Sequence, residues 1–361
     1  MAITDLDDGG LSALVSELGG KPFQARQLSH WIYRHGAADW DECRNLPAAL
    51  RRSLAERGPP LGSEVRETVQ SCDGTEKLLI ELRDGETVES VVIPDGDRTT
   101  LCISTQVGCP VGCVFCASGL DGVRRNLDAG EIVEQVLHAR RRTAGGAALT
   151  HLVVMGIGEP LLNLDALLQA LARIRDQEGI ALGARRITVS TSGYPDRIDR
   201  FADAATGVNL AVSLHAADDQ LRRRLVPTAR ATVAEIVAAA QRYFTASGRQ
   251  VTFEVVLLAG VNDRPRDAAA LIGAVRRMPC TVNLLPWNPV ERIPDLRRPP
   301  PFRVQKFAEA LRAGGLNVTV RKQRGADRSA ACGQLRIQAA LGRESPDVQA
   351  EKAEPPGLGS E

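Results

Sequence analysis

The hydrophobic rhythm of the chain changes twice, dividing it into three stretches. Up to about residue 60, apolar positions recur at helical spacing in LSALVSEL (11–18), PFQARQLSHWIYRHG (22–36) and LPAALRRSLAERG (46–58). In the second of these Phe23, Leu28, Trp31 and Ile32 recur at helical spacing, and Gly36 supplies a stop. From Glu64 to Ile93 the period shortens to two in ETVQSC, EKLLIEL and ETVESVVIP, broken at Asp73-Gly74 and Asp84-Gly85. Asp-Gly tolerates the positive φ of tight hairpins, so a small antiparallel sheet is expected here. From about residue 98, short apolar runs alternate with amphipathic helices. Strands are predicted at 100–105, 151–156, 186–191, 209–215, 251–258 and 281–286. The helices between them include AGEIVEQVLHARRR, where Ile132, Val133, Val136 and Leu137 share a face.

Six strand-then-helix units imply an α/β fold with a parallel sheet, curled as a partial (β/α)6 barrel that gathers its reactive residues at the strands' C-terminal ends. The expected organisation is an accessory domain over 1–95 (helices, then the antiparallel sheet), a catalytic domain over 96–340, and a tail over 341–361. That tail is polar and rich in Pro and Glu, a composition typical of disorder.

With 43% hydrophobic and 25% charged residues among 361, the chain reads as an ordinary globular protein. No apolar run nears the roughly 18 residues of a membrane span, and MAITDLDDGG has neither a basic start nor an apolar h-region. A cytoplasmic protein without membrane association is expected, with its thiols reduced. The net charge of +1 hides a small asymmetry: outside the acidic tail, 43 basic residues face 39 acidic ones. Short basic clusters at 140–142, 222–224 and 321–324 are expected as solvated helix faces, so charge alone does not mark a nucleic-acid binder.

The candidate chemistry starts at GCPVGCVFC, where Cys109, Cys113 and Cys116 lie within nine residues. A structural zinc site wants a fourth ligand nearby, and a disulfide framework wants an even number of cysteines. Three thiolates instead suit a cubane iron–sulfur cluster whose fourth iron stays open to an outside ligand such as S-adenosylmethionine. A zinc knuckle with a remote fourth ligand is the alternative. The other cysteines, 43, 72 and 280 among them, read by default as small buried hydrophobes.

CxxxCxxC at this position, ahead of the repeated strand–helix units, resembles the radical S-adenosylmethionine superfamily. The wider set of motifs resembles the RlmN/Cfr family: ETVESVVIP, RTTLCISTQVGC, RRNL, MGIGEPLLN, ITVSTSG, AVSLHAADD, RRRLVP, NLLPWNP and AACGQL, with KPFQARQLSHWIY near the start. It covers about nine-tenths of the chain and is closer to RlmN, which methylates adenosine C2, than to the C8-methylating Cfr. The sequence departs from the family's usual pattern at Arg328, where an isoleucine is common, and after Pro227, where a lysine-rich stretch is missing.

The resemblance implies a radical S-adenosylmethionine methyltransferase acting on 23S rRNA and on tRNA, with one [4Fe–4S] cluster on Cys109, Cys113 and Cys116. It implies cofactor contacts at Gly158, Glu159, Ser190, Ser213, Leu214, His215 and Asn288. In the implied mechanism Cys332 is methylated by one S-adenosylmethionine, and a second yields the radical that activates that methyl group toward C2. Glu89 then acts as the base that removes the C2 proton, and Cys102 forms a transient disulfide with Cys332 on release. A flavodoxin or ferredoxin type donor and a monomeric state complete the expectation. A C8 methylase, a different RNA substrate, or a non-catalytic zinc or RNA-binding module are the rival readings.

Overall fold

Among the residues described by a computed structural model (2–143, 148–228 and 230–321), ten strands join in one mixed sheet. In chain order the strands are β1 (Glu64–Gln70), β2 (Glu76–Glu81), β3 (Thr87–Asp95), β4 (Arg98–Cys102), β5 (Gln106–Gly108) and β6 (Val123–Asn126). They continue as β7 (His151–Val154), β8 (Ile187–Thr191), β9 (Asn209–Ser213), β10 (Val251–Leu257), β11 (Cys280–Pro286) and β12 (Asn317–Val320). The large sheet runs β1-β2-β3-β4-β7-β8-β9-β10-β11-β12, and β5 and β6 form a separate hairpin.

The six strands predicted for the catalytic half are β4 and β7 to β11, each parallel to the next in that order, and β12 adds a seventh that the sequence reading missed. The antiparallel strands β1, β2 and β3 do not stand apart: β3 pairs with β4, so they prolong the same sheet. Their turns use Gly74 and Gly85 at φ +80° and +81°, as the Asp-Gly pairs predicted.

Helices α1 (Asp8–Glu17), α2 (Pro22–Ser29) and α3 (Ala48–Arg57) precede the sheet. The remaining helices alternate with the parallel strands: α4 (Ala129–Thr143), α5 (Leu164–Arg175), α6 (Pro195–Asp203), α7 (Asp219–Leu225), α8 (Val233–Ser247), α9 (Pro265–Val275) and α10 (Pro301–Ala313). Their apolar faces cover the sheet, with Ile132, Val133, Val136 and Leu137 of α4 fully buried. Every crossover between parallel strands carries a helix, and each of these strands buries Val, Ile or Leu side chains in the core.

Three expectations fail here. Phe23 is 47% exposed, because within α2 it lies five residues, about 140° around the helix, from the buried Leu28; a π-helical turn, His30–His35, then leads to Gly36 at φ +69°. Cys72 is exposed, whereas Cys43 and Cys280 are buried as expected. The basic clusters at 140–142 and 222–224 are not simply solvated faces. Arg140 donates to the Tyr33 carbonyl (3.0 Å), Arg141 to that of Gly36 (2.6 Å) and Arg142 to Glu76 (2.7 Å), docking the N-terminal segment on α4, and Arg222 is 1% exposed.

Candidate active site

The cysteine loop is the connection of the β5–β6 hairpin. Gly108, at φ +78°, closes it: a Cβ there would lie 2.0 Å from the Gly122 carbonyl oxygen, which accepts from Cys109 N–H at 2.9 Å. The loop is then pinned from outside. Val114 N–H donates to the Leu225 carbonyl (3.1 Å), Thr228 Oγ1 to that of Val111 (2.8 Å) and Trp287 Nε1 to that of Phe115 (2.8 Å). Val111, Phe115, Leu225, Val226, Leu258 and Trp287 form a small apolar cluster of their own, against which all three cysteines pack.

Cys109, Cys113 and Cys116 face one cavity of about 350 Å³ at the C-terminal ends of the parallel strands. Burial pushes the Cys109 thiol up to about 12 and the Cys113 thiol well above its usual range, with the neighbouring cysteines adding to the Cys113 shift. The same cavity is lined by Cys102, Gly158, Glu159, Ser190, Ser213, His215 and Asn288. One cavity receives side chains from β2 as well as β11, which requires the sheet to curl.

The positions around the wall follow from strand register. Lys77, Val91, Cys102 and Val153 are successive partners across β2, β3, β4 and β7, and all four line the cavity. At the end of β7 the chain passes so close to residues 103–106 that Gly156 and Gly158 have no room for a Cβ: contacts would fall at 2.6 and 2.8 Å. Glu159 follows, 2% exposed, its N–H donating to Gln106 Oε1 (2.7 Å). Its carboxylate accepts from Ser192 N–H (2.7 Å), Ser192 Oγ (2.8 Å) and Leu161 N–H (3.1 Å). Burial still raises its pKa, and those hydrogen bonds oppose the rise.

Ser190 and Ser213 at the ends of β8 and β9 stand with hydroxyls 3.4 Å apart. His215 takes a positive φ of +61°, a left-handed conformation that few non-glycine residues adopt. Val256 N–H donates to its Nδ1 (3.3 Å) and its ring meets Phe115 edge-on at 4.7 Å. Burial, helped by Arg222, lowers the imidazole pKa to about 3, so His215 is neutral. The Leu214 side chain belongs to the main core, so any cofactor contact there falls to its backbone.

Glu89 is 3% exposed and pairs with Lys77, Nζ to Oε2 at 3.9 Å; Lys77 is the member of the pair that lines the cavity. Cys332, Arg328 and the 341–361 tail lie outside the described residues.

Sequence reasoning missed Lys77, Ser192, Arg222 and Glu254. A lysine in the apolar run EKLLIEL was a legible signal for the first, and the strand end STSG for the second. Glu254, also on the cavity wall, is pushed up to about 7 by burial against a hydrogen bond from Asn283 (2.8 Å).

The family model described as "Radical SAM superfamily" matches residues 103–272, and "Ribosomal RNA large subunit methyltransferase N-terminal domain" matches 1–58. A probable dual-specificity RNA methyltransferase RlmN of Rhodopirellula baltica is 46% identical over 89% of this chain and 87% of its own length. This chain belongs to the RlmN family. A dual-specificity RNA methyltransferase RlmN of an Anaeromyxobacter species is also 46% identical, over 90% of this chain and 88% of its own. The crystal structure of a radical SAM methyltransferase from Sphaerobacter thermophilus superposes with a TM-score of 0.89 at 46% identity, covering 92% of this chain and 98% of that one.

The radical SAM fold of the RlmN family implies a [4Fe–4S] cluster and S-adenosylmethionine. The residues present fit both. No three His, Cys, Asp or Glu side chains among the described residues converge on one ion. A cubane asks for something else: three thiolates, each on its own iron, and three thiols of one rigid loop share this wall. On the same wall Asn288 Oδ1 and Ser118 Oγ are buried with no hydrogen-bond partner among the described residues, polar atoms suited to a hydroxyl- and amine-bearing ligand.

Proposed function

We propose that this chain is a radical S-adenosylmethionine methyltransferase that methylates C2 of adenosine in 23S rRNA and in tRNA. The observation that carries the reading is Cys102, a fourth thiol on the wall of the cavity that the three loop cysteines face. Cluster binding alone gives no reason for it; a thiol–disulfide release step does. The name of the relatives, dual-specificity RNA methyltransferase, supports two RNA substrates.

Adenine C2 is electrophilic and lacks an acidic C–H, so direct polar methyl transfer fails there. The bound cluster supplies an electron that splits S-adenosylmethionine to a 5′-deoxyadenosyl radical. In this reading the cysteine loop holds the cluster, and Glu159 and Asn288 receive the cofactor's ammonium and adenosine ends. Cys332, in AACGQL, carries the methyl group donated by a first S-adenosylmethionine, so two are consumed per turnover. Glu89 removes the C2 proton, and Cys102 captures the Cys332 sulfur as the RNA leaves. An external reductant reopens that disulfide.

The setting that suits this chemistry is the cytoplasm, with a flavodoxin or ferredoxin type donor and a monomeric enzyme. Among the described residues no helix is long and apolar enough to cross a membrane. Mass spectrometry of RNA from a deletion strain tests the function. Loss of 2-methyladenosine from both RNAs is expected; unchanged 2-methyladenosine with loss of the 8-methyl isomer would move the reaction to C8.

A further inference from the structure

We propose that Arg222 is the internal counter-charge of the cysteine loop, a buried cation that makes the cluster easier to reduce. It stands in RRRLVP, where neighbouring arginines read as a solvated helix face, yet it is among the largest fully buried side chains of the protein. Helix α7 carries it inward. Asp218 caps that helix by accepting from Leu221 N–H (2.7 Å), and the helix's C-terminal end is tied to the cysteine loop through Leu225 and Thr228.

The guanidinium donates one hydrogen bond, from Nη2 to the Ser192 carbonyl. Nε and Nη1 are buried with no partner among the described residues. A cation so desolvated costs several kinds of solvation at once and persists only where negative charge offsets it. Burial lowers its pKa, and Cys113, Asp219 and Tyr194, in that order, oppose the fall. Asp219 already caps α8, accepting from Val233 N–H at 2.7 Å. His215, whose imidazole Arg222 helps to keep uncharged, is neutral.

A cluster held by three thiolates is a net anion, and more strongly so when reduced, so the inference rests on the cluster being held by Cys109, Cys113 and Cys116. Arg222 is not among the residues that line the cavity. Arg222 therefore acts through space, and through its hold on Ser192, as a positioning residue. A fixed positive charge in a medium of low dielectric favours the more negative redox state.

Two variants separate charge from hydrogen bonding: Arg222→Lys keeps the cation, and Arg222→Gln keeps an N–H donor without it. The readout is the midpoint potential of the anaerobically reconstituted protein without S-adenosylmethionine, followed by electron paramagnetic resonance. The Gln variant is expected to lose about tenfold in its reduction equilibrium, about 59 mV lower, with the Lys variant close to the parent. Equal potentials in the two variants would overturn the proposal. If the Gln variant retains no cluster, iron content and apoprotein melting decide. Retention in Lys, with apo-Gln melting no lower than the apo parent, supports the counter-charge, whereas loss in both, or a less stable apo-Gln fold, makes Arg222 a structural anchor. Iron and sulfide in the parent test the cluster assignment separately.

Discussion

Ser192 holds Glu159 with two hydrogen bonds at once, its N–H at 2.7 Å and its hydroxyl at 2.8 Å from the same carboxylate oxygen. The pair joins the end of β8 to the turn after β7, and it aims a buried carboxylate into the cavity shared by the loop cysteines. A carboxylate fixed this way cannot swing aside to find water, so its charge is available to a cationic ligand.

Ser192→Ala removes one of the two donors and leaves the backbone one. A hydrogen bond to a charged group contributes about 1.5–3 kcal/mol. S-adenosylmethionine binding is therefore expected to weaken by about tenfold in equilibrium dialysis with reconstituted protein. Unchanged affinity would detach Ser192 from the cofactor site.

Gly108→Ala puts a Cβ 2.0 Å from the Gly122 carbonyl oxygen in a backbone conformation of φ +78°. Strain alone costs on the order of 1–3 kcal/mol, and the clash must open the hairpin that frames the cysteine loop. Iron content after reconstitution should drop by half or more while the far-ultraviolet circular dichroism stays native. Full iron loading would show that the loop tolerates a wider hairpin.

Glu254 has its folded-state pKa raised to about 7 by burial. An acid held protonated by the fold stabilises it fully below the unfolded value near 4.3, and that contribution is lost as pH rises through about 7. Over that window the Glu254 contribution falls by up to about 1.4 kcal/mol per pH unit. His215, lowered to about 3, and His138, lowered to about 4, act the other way, withdrawing stability as pH falls below about 6.5. Glu254→Gln should flatten the loss on the alkaline side, so that urea melts at pH 6.5 and pH 8, above the window in which the two histidines titrate, differ less than in the parent. An unaltered pH profile would mean that Glu254 does not titrate there.

Cys102→Ala is expected to let the RNA adduct form on Cys332 but not resolve. Protein purified from cells should then carry covalently bound RNA, visible as a nuclease-sensitive shift on a denaturing gel; an RNA-free variant with normal turnover would remove the disulfide step.

Cys332→Ala should reduce methylation to background while iron and sulfide stay at parent levels, because that cysteine is outside the cluster motif. Residual methylation at the parent rate would exclude a methyl carrier at this position.

Much of this was written in local pattern. Strand–helix alternation from residue 98 determined an α/β fold with parallel strands, since period and turn chemistry are properties of short segments. CxxxCxxC and the GIGEP, STSG and SLH strand ends marked most of the cavity wall for the same reason. What the tertiary structure decided depends on neighbours distant in the chain. Register brought Lys77, Val91, Cys102 and Val153 into one row and joined the antiparallel strands to the main sheet. Packing of α7 under the cysteine loop turned Arg222 from an apparent surface residue into a buried charge. Burial is set by what the rest of the chain lays over a residue, and no local spacing encodes that.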